Sequence, residues 1–142
     1  MNTVGIAATH TGGGYHLTSS EGAVAKFGDA SFYGSMLGLP LNQPMVGIAG
    51  TPTGLGYWLV AADGGVFTFG DGGFFGSLGG QHLNRPVVGI APTPDGQGYW
   101  LTAADGGVFA FGSAGFLGSM AGQALNRPVV GIAATPTGLG YC

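Results

Sequence analysis

The sequence has very little charge. Charged residues make up 6% of its 142 residues, against roughly 25% in an ordinary soluble domain. Three Lys and Arg side chains are too few to neutralise several phosphates together, which argues against binding to nucleic acid or to an anionic membrane surface. A formal net charge of only -3 repels other copies weakly, so the composition predicts self-association.

Cysteine and long apolar runs are also scarce. Cys142 is the only cysteine and the last residue, which excludes an intrachain disulfide and a cysteine-based metal cluster. No stretch approaches 18 uninterrupted apolar residues, and the first residues lack the charged start of an export signal. We therefore expect a soluble chain without membrane insertion, which either has lost an export signal or never carried one.

What the sequence does contain is a repeat. The tetrapeptide VGIA begins at Val4, Val46, Val88 and Val130, which is a strict 42-residue period. With 32 Gly and 8 Pro, the composition alone suggests disorder, but the strict spacing of large apolar residues predicts an ordered array. We interpret residues 1–142 as a single array with repeats 3–44, 45–86 and 87–128 and a partial fourth, 129–142.

Each repeat divides into four short apolar runs separated by turn residues. In the second repeat the runs are PMVGIAG, YWLVAA, VFTFG and FFGSLGG, and no helical periodicity is present. Asp63-Gly64 and Asp105-Gly106 predict hairpins with a type I′ turn, and Glu21-Gly22 is a weaker version. The pattern therefore predicts an all-β fold with four strands in each repeat.

The strand runs lack the alternation of a sheet that is wet on one face. In YWLVAA, Tyr57 and Leu59 on one side and Trp58 and Val60 on the other are all apolar, so both faces require cover. Four-stranded sheets stacked around an axis provide it, which predicts β-propeller-like blades. A β-trefoil also uses three such units, although its strands are wet on one face, and a β-solenoid covers both faces, although a repeat of this length is long for one coil.

The sequences GYWLVAADGGVFTFGDGGFFGSLGG at 56–80 and LNRPVVGIAPTPDGQGYWLTAADGGVFAFG at 83–112 carry a family resemblance. The chain resembles the tandem repeats of secreted and cell-wall-associated actinobacterial proteins. The resemblance implies a propeller-like, extracellular or cell-surface accessory region without chemistry of its own. The first copy departs from the pattern, with His16 where the others have Trp58 and Trp100.

Three repeats are too few to close a propeller, which needs four to eight or so blades. An isolated array would expose two apolar sheet faces, so we expect a homo-oligomer, in the simplest case two chains forming one ring. If the contact between chains does not close, the product is a filament or a larger assembly. We expect a non-catalytic module for binding or scaffolding, whose ligand, if it has one, is a cell-wall or other glycan.

Candidate ligand-binding residues fall into two groups. Trp58 and Trp100 are possible stacking platforms for sugar rings, although core packing between sheets explains them as well. Polar pairs in the connecting loops are a possible repeated ligand rim, although Asn near Pro is also ordinary turn chemistry; these pairs are Asn84 with Arg85 and Asn126 with Arg127. The sequence offers no Ca²⁺ loop, no His spacing for a metal and no symmetry-breaking catalytic set, so we expect no metal, no cofactor and no enzymatic activity.

Overall fold

A computed structural model describes residues 3–79, 83 and 85–115. This part of the chain contains nine strands and no helix. The strands are β1 (Thr3–Ala8), β2 (Gly14–Ser19), β3 (Val24–Gly28), β4 (Met45–Gly50), β5 (Gly56–Ala61), β6 (Val66–Gly70), β7 (Val87–Pro92), β8 (Gly98–Ala103) and β9 (Val108–Gly112). They form three antiparallel sheets with the orders β1-β2-β3, β4-β5-β6 and β7-β8-β9, which we call sheets 1, 2 and 3.

The sheets are stacked in chain order, and their first strands lie next to one another. Strand β1 contacts β4, and β4 contacts β7. A Cβ atom on Gly5 would lie 3.1 Å from the Cα of Gly47, so the glycine of VGIA permits this close approach of two backbones. A backbone hydrogen bond from Met45 to the Ser20 carbonyl, and its equivalent from Val87 to Ala62, tie each sheet to the next at 2.8 Å.

The predicted burial of both strand faces is confirmed for the central strands of sheets 2 and 3. Every residue of β5 and β8 is buried. Tyr57 and Leu59 belong to a cluster that packs against sheet 1, while Trp58 and Val60 belong to a cluster shared with sheet 3. The absence of polar alternation in YWLVAA is therefore explained by a neighbouring sheet on each side.

The fourth predicted strand is not present in the two repeats where the structure describes it. Residues 31–34 and 73–76, which we call the bridging segments, follow β3 and β6 without forming strand pairing. Their backbone groups bond to side chains instead: Trp58 Nε1 donates to the Gly73 carbonyl at 2.7 Å, and the Tyr99 hydroxyl donates to the Gly76 carbonyl at 2.5 Å. Gly76 also has a φ of 129°, which takes the chain out of extended geometry.

The hairpin prediction is right in position and wrong in turn type. Gly64 N donates to the Ala61 carbonyl and Ala61 N to the Gly65 carbonyl, both at 2.9 Å. Gly64 has a φ of 83°, whereas no residue other than glycine has a positive φ in the described residues. Asp63 therefore has a negative φ, which a type I′ turn would not allow. The loop is instead a type I turn followed by a glycine bulge at Gly64.

Candidate functional site

Trp58 and Trp100 lie in the core and have no exposed surface. The ring of Trp58 packs edge-on against Tyr99 with centroids 5.8 Å apart. Trp100 Nε1 donates to the Gly115 carbonyl at 2.7 Å, in the same way as Trp58 to Gly73. A sugar can stack only on an exposed ring face, so in this arrangement neither indole offers one.

His16 occupies the position of the first repeat that is equivalent to Trp58 and Trp100, and it makes the equivalent hydrogen bond to a backbone carbonyl. Its Nε2 lies 2.6 Å from the Ser31 carbonyl, the first-repeat equivalent of Gly73. The imidazole is buried, and its ring centroid lies 4.8 Å from that of Tyr57. The departure from Trp therefore preserves the hydrogen bond to the bridging segment with a smaller ring.

The interface between consecutive sheets is built around a tyrosine. The Tyr99 hydroxyl donates to the Gly76 carbonyl and accepts from Phe75 N at 3.1 Å. The Tyr57 hydroxyl makes the same pair of bonds in the preceding interface, donating to Gly34 and accepting from Tyr33 N at 3.0 Å. Burial raises the pKa of both Tyr57 and Tyr99 above the usual value of 10.0, so both are protonated donors at neutral pH.

The same side of sheet 1 is exposed. Ile6 retains 65% of its surface, whereas its equivalents Ile48 and Ile90 retain 7% and 8%. Tyr15 retains 39%, whereas Tyr57 and Tyr99 retain none. Phe27, which stacks on Tyr15 with ring centroids 4.9 Å apart, is also exposed. We call Ile6, Tyr15 and Phe27 the uncovered face.

The predicted ligand rim is described in part. Arg85 is exposed in the connection before β7, while Asn84, Asn126 and Arg127 lie outside the described residues. Their first-repeat equivalents, Asn42 and Gln43, are exposed and line an open cavity of about 360 Å³ beside sheet 2. Its wall also contains the side chains of Asp63, Phe67, Phe74 and Ser77, together with aliphatic residues such as Leu41. We call this cavity the rim groove.

A second cluster of polar side chains joins the first hairpin loop of each repeat to the end of its third strand. In sheet 2, Thr51 Oγ1 donates to Asp71 Oδ1 at 2.7 Å, and Thr53 donates to the other carboxylate oxygen. Thr9, Thr11 and Asp29 repeat the arrangement in sheet 1. Hydrogen bonds from Thr11 and then Thr9 hold the pKa of Asp29 below its usual value of 3.8.

Sheet 3 contains the same cluster with its parts exchanged. The carboxylate is supplied by Asp95, at the position of Thr53, and the hydroxyl by Ser113, at the position of Asp71. Ser113 Oγ donates to Asp95 Oδ1 at 2.9 Å, and Thr93 donates to the same oxygen at 2.5 Å. Hydrogen bonds from Thr93, Gln97 N and Ser113 lower the pKa of Asp95. The exchange of acid and hydroxyl between the same two repeat positions is the feature of the sequence that indicates their contact.

The described residues contain no group of three His, Cys, Asp or Glu side chains that is suited to a metal ion. In that same part of the chain, no helix is long and apolar enough to span a membrane. Every buried side-chain nitrogen or oxygen in it has a hydrogen-bond partner.

Comparison with known proteins identifies the fold and leaves the family open. No protein-family model matches the chain, and no curated protein sequence does so. Among solved structures, the chain is similar to the β-propeller domain of Cps50 (Swd1) from Myceliophteria thermophila, with a TM-score of 0.62 and 10% identity over 96% of this chain. It is also similar to a structural genomics protein of unknown function from Bacteroides thetaiotaomicron, with a TM-score of 0.57 and 13% identity over 98% of this chain.

The alignments cover 47% and 43% of those two proteins, so the chain spans about half the length of the solved structures it matches. At these identities the likeness concerns the fold alone. Together with the three stacked antiparallel sheets, it shows an all-β, propeller-like architecture.

Proposed function

We propose that this protein is a non-catalytic propeller segment that serves as a binding or scaffolding module and completes its ring by association with a second copy of itself. The observation that carries the proposal is the uncovered face of sheet 1. The extracellular or cell-surface location that the sequence resemblance implies is part of the same proposal.

The repeat indicates what the uncovered face is built to contact. At two successive interfaces the same side of a sheet is covered by the preceding sheet and its bridging segment, through Tyr57 in one case and Tyr99 in the other. Tyr15 stands at the third equivalent position with its ring partly in water. A further repeat unit fits this surface because the existing interfaces already show the complementary partner.

The hydrophobic effect favours covering this face. Removing an aliphatic or aromatic side chain completely from water stabilises by about 1.5–3 kcal/mol, and Ile6, Tyr15 and Phe27 are each only partly buried. The low charge of the chain, with six acidic and three basic residues, opposes the approach of a second copy only weakly.

The number of sheets supports the same conclusion. Propellers close with four to eight or so blades, whereas the described residues form three sheets. Two copies of three sheets make a ring within that range. If the angle between copies does not allow closure, the same contact produces a filament, which is the alternative form of the proposal.

The support for a non-catalytic role is that the polar side chains follow the repeat. The Thr51–Asp71 cluster and its equivalents are hydrogen bonded within the loops that they join. Polar groups that recur in each unit and are satisfied by the turn itself are typical of structural positions.

Native mass measured by light scattering over a wide dilution series tests the proposal. We expect a species of at least twice the 14.0 kDa chain that dissociates on substitution of Ile6→Lys, because the new ammonium group would be buried without a partner. The matched control is Leu55→Lys, which alters a similarly exposed apolar residue in a loop at the end of sheet 2 and should leave the mass unchanged. A concentration-independent monomer for the unsubstituted chain would refute the proposal.

A further inference from the structure

We propose that the rim groove binds a neutral oligosaccharide. This inference rests on the proposed role as a binding module and names its ligand class, but it does not depend on ring closure. The groove lies between the connection that follows sheet 1 and the second hairpin of sheet 2, so its two walls come from consecutive repeats.

The wall residues combine the two kinds of contact that a sugar requires. Phe74 is 60% exposed and, with Phe67, presents aromatic surface to the groove. Asn42 and Gln43 offer amide donors and acceptors, and Asp63 offers a carboxylate. Sugar rings have apolar C–H faces edged by hydroxyl groups, so aromatic surface beside convergent hydrogen-bonding groups matches their chemistry.

The charge of the wall favours a neutral ligand over an anion. The three basic residues of the chain are Lys26, Arg85 and Arg127, and none of them lines the rim groove as the described residues form it. Its single ionisable side chain is Asp63, which repels phosphate or carboxylate groups and accepts hydrogen bonds from hydroxyl groups. One carboxylate also falls far short of the six to eight oxygens that Ca²⁺ takes.

The groove is held in shape before any ligand arrives. Asp63 Oδ1 accepts from Gly65 N at 3.0 Å, which fixes the carboxylate in the turn. Leu78 N donates to the Gly64 carbonyl at 2.9 Å, and Ala62 N donates to the Pro44 carbonyl at 2.9 Å. These bonds tie the segment after Phe74 and the end of the connection to the same hairpin, so little ordering is needed on binding.

The size of the site favours an oligomer over a single sugar unit. A second open cavity of about 420 Å³, lined by Ser20 and Glu21 from the equivalent hairpin of sheet 1, shares Asn42 and Gln43 with the rim groove. Successive units of one oligosaccharide can therefore contact the same pair of amides from two adjoining cavities.

The test uses the intact chain and two defined probes, a cello-oligosaccharide and a chito-oligosaccharide, with heparin as a polyanionic comparison. Binding is measured by isothermal titration and by amide chemical-shift changes. We expect at least one neutral probe to bind, with shifts concentrated at Asn42, Asp63 and Gly65, and heparin to bind more weakly or not at all. Absence of binding by both neutral probes, or tighter binding of heparin, would overturn the proposal.

Two substitutions locate the site. Phe74→Ala removes the exposed ring, and we expect it to weaken binding about tenfold, which corresponds to about 1.4 kcal/mol. Its matched control is Phe32→Ala, at the equivalent position of the first repeat, where the ring is 53% exposed but does not line the rim groove. If both variants weaken binding equally, or if neither variant weakens it, the assignment of the ligand to the rim groove is contradicted.

The same samples separate this inference from the proposal on assembly. Ile6→Lys alters the uncovered face and leaves the groove residues in place, so its affinity for the neutral probe should match that of the unsubstituted chain. If the chain is a monomer and still binds through Phe74, the assembly proposal fails and this one stands. If the chain assembles but binds neither neutral probe, the oligosaccharide proposal fails and the assembly proposal stands.

Discussion

Removal of the Tyr99 hydroxyl measures how strongly consecutive sheets are joined. Tyr99→Phe keeps the ring, which packs on Trp58, Phe75 and Phe111 with centroids 5.7–5.9 Å apart. It removes the donor to the Gly76 carbonyl and leaves Phe75 N without its acceptor. Each hydrogen bond contributes about 1 kcal/mol, and a buried amide left unpaired costs about 1–3 kcal/mol. The sum of one lost hydrogen bond and one unpaired amide is an expected loss of about 2–4 kcal/mol in the free energy of unfolding.

The assay is equilibrium urea unfolding in the Ile6→Lys background, so that dissociation between copies does not contribute to the measured stability. Tyr57→Phe should show a loss of similar size, because its hydroxyl makes the equivalent two bonds. Tyr15→Phe is the control: its ring lies on the uncovered face, and we expect a change within about 0.5 kcal/mol. If Tyr99→Phe is as mild as Tyr15→Phe, the tyrosine bonds do not hold the interface and the reasoning is refuted.

Two further predictions concern the bridging segment and the loop clusters. Gly76→Ala places a Cβ atom 2.6 Å from Phe111 Cδ1 at a φ of 129° and should lower the thermal unfolding midpoint markedly. The control is Gly38→Ala, at a φ of 84° with no atom within 4 Å, which should have a smaller effect. Equal midpoints for the two variants would contradict the close packing at Gly76. In sheet 3, Asp95→Thr and Ser113→Asp should each lower the midpoint at neutral pH, while the double variant, which restores the arrangement of sheet 2, should recover it. The hydroxyl donors hold the pKa of Asp95 in the folded protein below 3.8. The stability that Asp95 contributes is therefore present above pH 3.8 and is lost as the pH falls through the folded pKa. The midpoints of the unsubstituted chain and of Asp95→Thr should converge in acid, and a constant difference between them would contradict this.

The sequence predicted an all-β, propeller-like fold because its signals are periodic. The first strands of the three sheets begin at Thr3, Met45 and Val87, in step with the recurring VGIA. The apolar run of Tyr57, Trp58, Leu59 and Val60 predicted a strand with cover on both faces, as found in β5. The Asp63-Gly64 pair located a hairpin. These features depend on local residue chemistry and on burial, both of which appear directly in the order of residues.

What the sequence did not predict depends on side chains that reach beyond their own strand. The run FFGSLGG has the composition of a strand, but Trp58 and Tyr99 take the hydrogen bonds of residues 73–76. The turn at Asp63 differs from type I′ because a bulge at Gly64 needs only one residue with positive φ. For the same reason the rim groove was not predicted, because the aromatic and acidic wall opposite Asn42 comes from another repeat.

The tyrosine contact also has a consequence for how such a protein can change in size. Each described repeat presents a tyrosine hydroxyl on one side. The first two repeats also present a glycine carbonyl that can accept a hydrogen bond from the tyrosine of the next repeat, so one repeat can follow another. Inserting or deleting one whole repeat would then alter the diameter of an assembly while leaving each junction as it was. The replacement of Trp by His16, which keeps the bond to its acceptor, illustrates how far an individual unit can diverge before that interchangeability is lost.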